Sequence, residues 1–383
     1  MGDATNDRLA KLAALGQSIW LDYISRSLIS TGGLQQLIDQ DGIAGMTSNP
    51  SIFEKAIGAG GEYNQEILAL AQQGQDAAQI LDRLTMADVR AACDVFTPVY
   101  VASGGEDGFV SLEVSPALAR DTQRTLSEAR RLSAAVDRPN VMIKIPGTAE
   151  GLPAIRASLA DGVNINITLM FSMAHYEAVV EAFMSGLEDR LAAGGQIRGL
   201  ASVASFFVSR VDTLVDKLLD EKLAQAGDGG RERISACKGK LAVANSKLVY
   251  ERFQQLFATP RWQKLAAAGA SVQRVLWAST STKNPAYNDV LYVDELIGPH
   301  TVNTLPEATL AAFKDHGTPR RTVDQGYDAA RVLLTELAAL GIDVGAATEQ
   351  LQVEGVELFV KSFDAVLAIV EQRRRELLAG AGE

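Results

Sequence analysis

With 383 residues, 47% of them apolar, the chain is long enough to bury a large core, and it has no apolar run of membrane-spanning length, so a globular protein without a membrane partner is expected. A formal net charge of −11 weighs against nucleic acid or anionic membranes as general partners, so any anionic metabolite must be met by a few local basic residues. Only Cys93 and Cys237 are present, outside any Cys-x-x-Cys pair, and His175, His300 and His316 have no ligand spacing; no disulfide framework, metal or cofactor is implied.

The opening stretch MGDATNDRLAKLAALGQ lacks the basic start, apolar core and cleavage site of a secretory signal. It reads as an N-terminal helix, with the cytoplasm as the expected location. Eight short apolar stretches then recur along the chain: SIWLDYIS (18–25), GIAGMTSN (42–49), GFVSLEV (108–114), VMIKIP (141–146), GVNINITLM (162–170), LASVASFFV (200–208), VQRVLWAST (272–280) and HTVNTLP (300–306). Between most of them lie segments of helical periodicity, such as 116–136 and 175–194.

Eight strands alternating with helices predict an α/β protein, a (β/α)8 TIM barrel with additional helices, as one domain over 1–383. A doubly wound sheet is the alternative, but no Gly-x-Gly-x-x-Gly follows the first strand and no P-loop is present. The Gly-rich stretches SGGEDG (103–108) and AGDGGRER (226–233) fit turns better than phosphate cradles. The interval from about 209 to 270 reads as a helical insertion after the sixth strand. Residues 350–377 read as a final amphipathic helix that caps the barrel or packs on its side.

Polar residues fall on one face of several strands. In VMIKIPGT, Val141, Ile143 and Ile145 point one way and Met142 and Lys144 the other; Pro146 and Gly147 end the run, placing Lys144 one residue before its carboxyl end. Asp22 and Glu113 occupy the equivalent face of their strands. Asn164, Asn166 and Thr168 face opposite Val163, Ile165, Ile167 and Leu169. Both faces of a parallel barrel strand are covered, so inward polar groups must satisfy one another or a ligand. Asp22, Asn49, Glu113, Lys144, Asn166, Thr168 and Ser205 thus form a polar set at the strand carboxyl ends, where barrel enzymes carry their chemistry. Taken singly, Asp22 fits a helix cap, Asn49 a turn before Pro50, Ser205 a small core filler, and Lys144 a strand-end lysine reaching for water. A lysine with two carboxylates at one barrel mouth is harder to account for without a task, because buried charges need partners. Amine catalysis is the chemistry such a set supports. Burial favours the neutral amine, which attacks a ketone to give a carbinolamine and then an iminium ion that stabilises an adjacent carbanion.

The ordered motifs DGIAGMTSNPSIFEKAI (41–57), SLEVSP (111–116), VMIKIPGTAEGL (141–152) and VNINITLMFS (163–172), with SIWLDYISR (18–26), resemble the transaldolases, in particular their longer bacterial subfamily, over nearly the whole chain. The resemblance implies a Schiff-base barrel enzyme of the pentose phosphate pathway. It would move a dihydroxyacetone unit from sedoheptulose 7-phosphate to glyceraldehyde 3-phosphate, giving erythrose 4-phosphate and fructose 6-phosphate. By the same resemblance Lys144 is the Schiff-base lysine, and Asp22 is the base for the C4 hydroxyl. Glu113 and Thr168 hold a proton-relaying water, and Asn49 and Asn166 contact the donor hydroxyls. Ser205 lies at the donor end, and Arg210 binds the phosphate.

One departure concerns the second phosphate contact, usually an arginine after a short Ala-Ser motif; WASTSTKNP (277–285) is longer and offers Lys283. A lysine lacks the bidentate fork, which leaves room for a looser grip or for help from another residue. The implied partners are sugar phosphates, and the chain is expected as a monomer or homodimer. Two alternatives are a fructose 6-phosphate aldolase that releases free dihydroxyacetone and a non-catalytic sugar phosphate-binding barrel. Those aldolases are shorter and carry tyrosine or glutamine where Glu113 stands, and a lysine beside two carboxylates suits a simple phosphate contact poorly.

Overall fold

Short, mostly apolar runs form the strands of the barrel. In the computed structural model, which describes residues 7–381, they are β1 (Gln17–Leu21), β2 (Gly45–Met46), β3 (Phe109–Glu113), β4 (Val141–Pro146), β5 (Ile165–Met170), β6 (Ser202–Phe207), β7 (Arg274–Ala278) and β8 (Thr301–Leu305). They pair in parallel in chain order, and β8 returns to β1 to close the barrel. Seven lie within the stretches read from the sequence and β1 starts one residue earlier, at Gln17, in a closed (β/α)8 barrel with extra helices. The expected domain limits at 1 and 383 lie outside the described residues.

The barrel interior is packed, and every residue of β4, β5 and β6 is buried. Close packing is evident at Gly45, where an added Cβ would come within 2.6 Å of the Trp20 ring. At the amino-terminal end, Arg274 pairs with Asp107 at 2.9 Å, and the same carboxylate accepts from Ser18 and Trp20. This network closes the end of the barrel remote from the strand carboxyl termini.

Three local details differ from the sequence reading. β4 continues through Pro146, so Lys144 lies two residues from its end. β5 starts at Ile165 and loses its alternation at Leu169, whose φ of 63° coincides with a register shift between Ile167 and Met170. The segment 116–136 is divided into a 3₁₀ turn, Pro116–Leu118, and a helix, Thr122–Val136, because the Asp121 side chain accepts from Arg124 N and starts the helix there.

After β6 come four helices, Ser209–Leu223, Asp228–Cys237, Leu241–Leu256 and Pro260–Ala267. The second of them begins within the Gly-rich 226–233 stretch, which is therefore partly helical rather than a turn throughout. The last helix, Val344–Gly380, is 37 residues long, with Asp343 accepting from Ala346 N at its start. It crosses the carboxyl end of the barrel. Gln352 donates to the Gly147 and Leu169 carbonyls at 3.2 and 3.0 Å, and Ser362 meets Ser51 at 2.7 Å. The left-handed turn at Leu169 leaves its carbonyl for Gln352, and an added Cβ at Gly355 would meet the Leu169 side chain at 2.9 Å. No helix among the described residues is long and apolar enough to cross a membrane.

Candidate active site

Parallel register sets the first row of the site. Glu113 pairs with Lys144 across β3 and β4, and Lys144 pairs with Asn166 across β4 and β5, so three polar side chains occupy one layer of the barrel interior. Lys144 is 5% exposed; its Nζ lies 3.4 Å from Glu113 Oε2 and donates to the Ser48 carbonyl at 3.2 Å. The Phe359 ring of the last helix covers the ammonium, its centroid 5.5 Å away.

Apart from the 3.4 Å contact of Oε2 with Lys144, the Glu113 oxygens have no partner among the described residues, and the buried Thr168 hydroxyl has none either. Such groups are uncommon in native interiors and mark a place where function takes precedence over satisfaction. Burial pushes the Glu113 carboxyl up to about 7, against the opposing pull of Lys144. A carboxyl poised near neutrality both accepts and donates protons in ordinary buffer.

Asp22 follows directly on β1, with its backbone N–H bonded to Leu305 O at 2.8 Å. Its carboxylate accepts from Thr47 Oγ1 at 2.7 Å, and that hydroxyl meets Thr304 Oγ1 at 2.6 Å. Burial raises the Asp22 carboxyl, while the Thr47 hydrogen bond and the nearby Lys144, Lys283 and Lys55 hold it down. A second base thus faces the lysine from the other side of the mouth.

Asn166, in the same layer as Lys144, is fully buried. Its amide nitrogen donates to Ser111 Oγ at 2.9 Å, and its amide oxygen accepts from Ser205 Oγ at 2.6 Å. It supports Ser205 and does not line the cavity at the barrel mouth. Asn49 does line it. Its side-chain oxygen accepts from Ile52 N at 3.0 Å and caps the Pro50–Ala59 helix, so the amide nitrogen is the part of the side chain left to donate to a ligand.

The cavity, of about 250 Å³, is bordered by Asp22, Asn49, Lys144, Thr168 and Ser205, and also by Arg210 and Lys283. Glu113 adjoins it through Lys144 but does not border it. Arg210 stands in the first turn of the Ser209–Leu223 helix, its guanidinium 5.4 Å from the Phe207 ring centroid. Burial pulls both Arg210 and Lys283 below their usual values, and Lys283 is depressed further by Arg210 and Lys55. Lys283 Nζ donates to Ser281 Oγ at 2.7 Å. Two cations held this close favour an anion between them.

The sequence reading did not single out Thr47, Thr304, Lys55 or Phe359. Thr47 and Asn49 share one motif, TSNP, so its first residue was a legible candidate; Phe359 gave no signal, because only the packed final helix brings it to Lys144. Among the described residues, no group of three or more His, Cys, Asp or Glu side chains is arranged to hold a metal.

The family described as Transaldolase/Fructose-6-phosphate aldolase matches this chain over residues 19–370. Among similar proteins, a transaldolase of Parafrankia sp. is 52% identical over 366 residues, covering 95% of this chain and 97% of its own. A transaldolase of Acidothermus cellulolyticus is 52% identical over 375 residues, covering 97% and 99%. A transaldolase of Trichodesmium erythraeum is 45% identical over 374 residues, covering 97% and 98%.

Proposed function

The chain belongs to the transaldolase/fructose-6-phosphate aldolase family, and from that premise we propose that Lys144 is the amine through which it works, with Asp22 and Glu113 as its two proton-transfer groups. The protein acts as a transaldolase on sugar phosphates, a transferase moving a dihydroxyacetone unit between sedoheptulose 7-phosphate and glyceraldehyde 3-phosphate to give erythrose 4-phosphate and fructose 6-phosphate. The relatives' names favour transfer over release of free dihydroxyacetone.

Neutral Lys144 attacks the ketone carbon of the donor to form a carbinolamine. Glu113, with Thr168, relays the proton that lets water leave and the iminium form. Asp22 takes the proton of the C4 hydroxyl as the C3–C4 bond breaks, and the bonding pair moves into the iminium to give an enamine. The aldehyde departs. The enamine carbon then attacks the acceptor aldehyde, Asp22 returns its proton to the new hydroxyl, and hydrolysis of the iminium frees the product and restores the amine.

Asn49 and Ser205 bind the donor hydroxyls, Asn166 holds Ser205, and Arg210 with Lys283 binds the phosphate. The observation that carries this reading is the buried Lys144, which borders a cavity of sugar size together with Asp22 and has behind it the Glu113 carboxyl raised to about 7. All these groups come from one chain, so the mechanism suits a monomer or a homodimer. The two unpaired cysteines, both buried, accord with a cytoplasmic location.

Incubation with fructose 6-phosphate alone, borohydride reduction and peptide mapping should find a three-carbon adduct on Lys144, which erythrose 4-phosphate added before reduction should clear. The Lys144→Ala variant should be folded and inactive. Transfer near the parent rate in that variant, or no adduct on any lysine of the folded protein, would sink the assignment.

A further inference from the structure

We propose that Lys55 is a third phosphate-binding residue, which with Arg210 and Lys283 forms a three-cation grip on the phosphate end of the substrate; this rests on the transaldolase reading above. Lys55 was not among the residues implied by the family resemblance, and its placement follows from the Pro50–Ala59 helix. That helix starts at Asn49, which caps it, and Ser51, Ile52 and Lys55 all border the cavity. Lys55 stands four residues after Ser51, on the same face, and side chains on a helix lean toward its amino terminus. The lysine stem therefore runs back toward the barrel mouth. The helix is anchored there by the Ser51–Ser362 bond and by Arg373 donating to Gly58 O at 3.0 Å.

The charge pattern points the same way. Lys283 feels both Arg210 and Lys55, and Asp22 feels both Lys283 and Lys55, so the three cations that border the cavity lie within electrostatic reach of Lys283. Among the described residues none of the three forms an ion pair; Glu354, on the last helix, is the acid that Arg210 feels, without contact. In a chain of net charge −11, three cations on one cavity, offset only at a distance by Asp22 and Glu354, are an electrostatic expense that an anionic ligand would relieve.

A phosphate monoester carries roughly two negative charges above its second pKa of about 6. One arginine fork and two lysine point charges supply donors for its terminal oxygens from three directions. The added lysine also supplies a second point of contact where Lys283 lacks the planar fork of an arginine. The competing account is that Lys55, which is exposed on its helix, only solvates that surface.

The test compares the parent protein with Lys55→Gln and Lys55→Arg, using inorganic phosphate as the probe and fructose 6-phosphate as the substrate. We expect Lys55→Gln to raise both the inhibition constant of phosphate and the KM for fructose 6-phosphate about tenfold, with a much smaller change in kcat, and Lys55→Arg to restore most of both. Unchanged phosphate inhibition and KM in folded Lys55→Gln would overturn the proposal while leaving the transaldolase reading intact. A parent protein with no transfer activity, but with phosphate binding seen by phosphorus NMR and lost in Lys55→Gln, would instead overturn the transaldolase reading and keep the anion site.

Discussion

Lys144 Nζ lies 3.4 Å from Glu113 on the neighbouring strand, and the carboxylate has no other polar partner among the described residues. Burial holds the Glu113 carboxyl at about 7, so it is protonated, and lost as a base, as the pH falls through that value. The transfer rate should therefore show an acid limb with its midpoint near pH 7. Glu113→Gln should abolish the limb and slow transfer on the order of 100-fold or more. A limb that persists unchanged in this variant would belong to another group, with Asp22 the first candidate. For stability the sign is opposite to that for activity: the raised carboxyl contributes fully below its ordinary value of 4.5, and that contribution is lost as the pH rises through about 7.

The Asp22 carboxylate meets Thr47 on the opposite side of the mouth, so the division of labour between the two carboxylates is testable. Asp22→Asn should still form the Schiff base but fail to break the carbon–carbon bond. Borohydride trapping with fructose 6-phosphate should then leave a six-carbon adduct on Lys144 in place of a three-carbon one. A three-carbon adduct formed at the parent rate would remove Asp22 from the cleavage step.

Asn166 joins Ser111 to Ser205, and its replacement leaves two buried hydroxyls without that partner. Asn166→Ala should lower stability by about 1–3 kcal/mol, read as a shift of the urea midpoint. Its effect on fructose 6-phosphate KM should not add to that of Ser205→Ala, because both remove one buried bond. Additive effects would mean that Asn166 meets the substrate itself.

Phe359 shields Lys144 from the side of the final helix, and a dry site protects the Schiff base from premature hydrolysis. Phe359→Ala should raise the release of free dihydroxyacetone relative to transfer several-fold when both products are measured with fructose 6-phosphate and a limiting acceptor. An unchanged ratio in a folded variant would show that the ring only packs.

The barrel was legible because its rule is local. Period-two alternation in β3, β4 and β5 states which side chains face inward, and parallel register then places Glu113, Lys144 and Asn166 in one row. Asp22, Asn49, Lys144, Thr168, Ser205, Arg210 and Lys283 were all found from the sequence, and the structure brings them to a single cavity. Which members of that row border the cavity was not legible. Asn166 shares its face with Lys144, yet Ser111 and Ser205, on other strands, engage both ends of its amide and keep it out of the cavity.

By itself the sequence determined the strand count, the inward faces and the family, since each rests on residues close together in the chain or on ordered motifs. Tertiary structure alone decided that the last helix crosses the mouth, that Leu169 leaves the strand pattern to bond Gln352, and that Phe359 covers Lys144. It also decided that Lys55 joins Arg210 and Lys283. Those contacts join segments far apart in the chain, and their geometry exists only once the barrel has closed and the helices have packed against its rim.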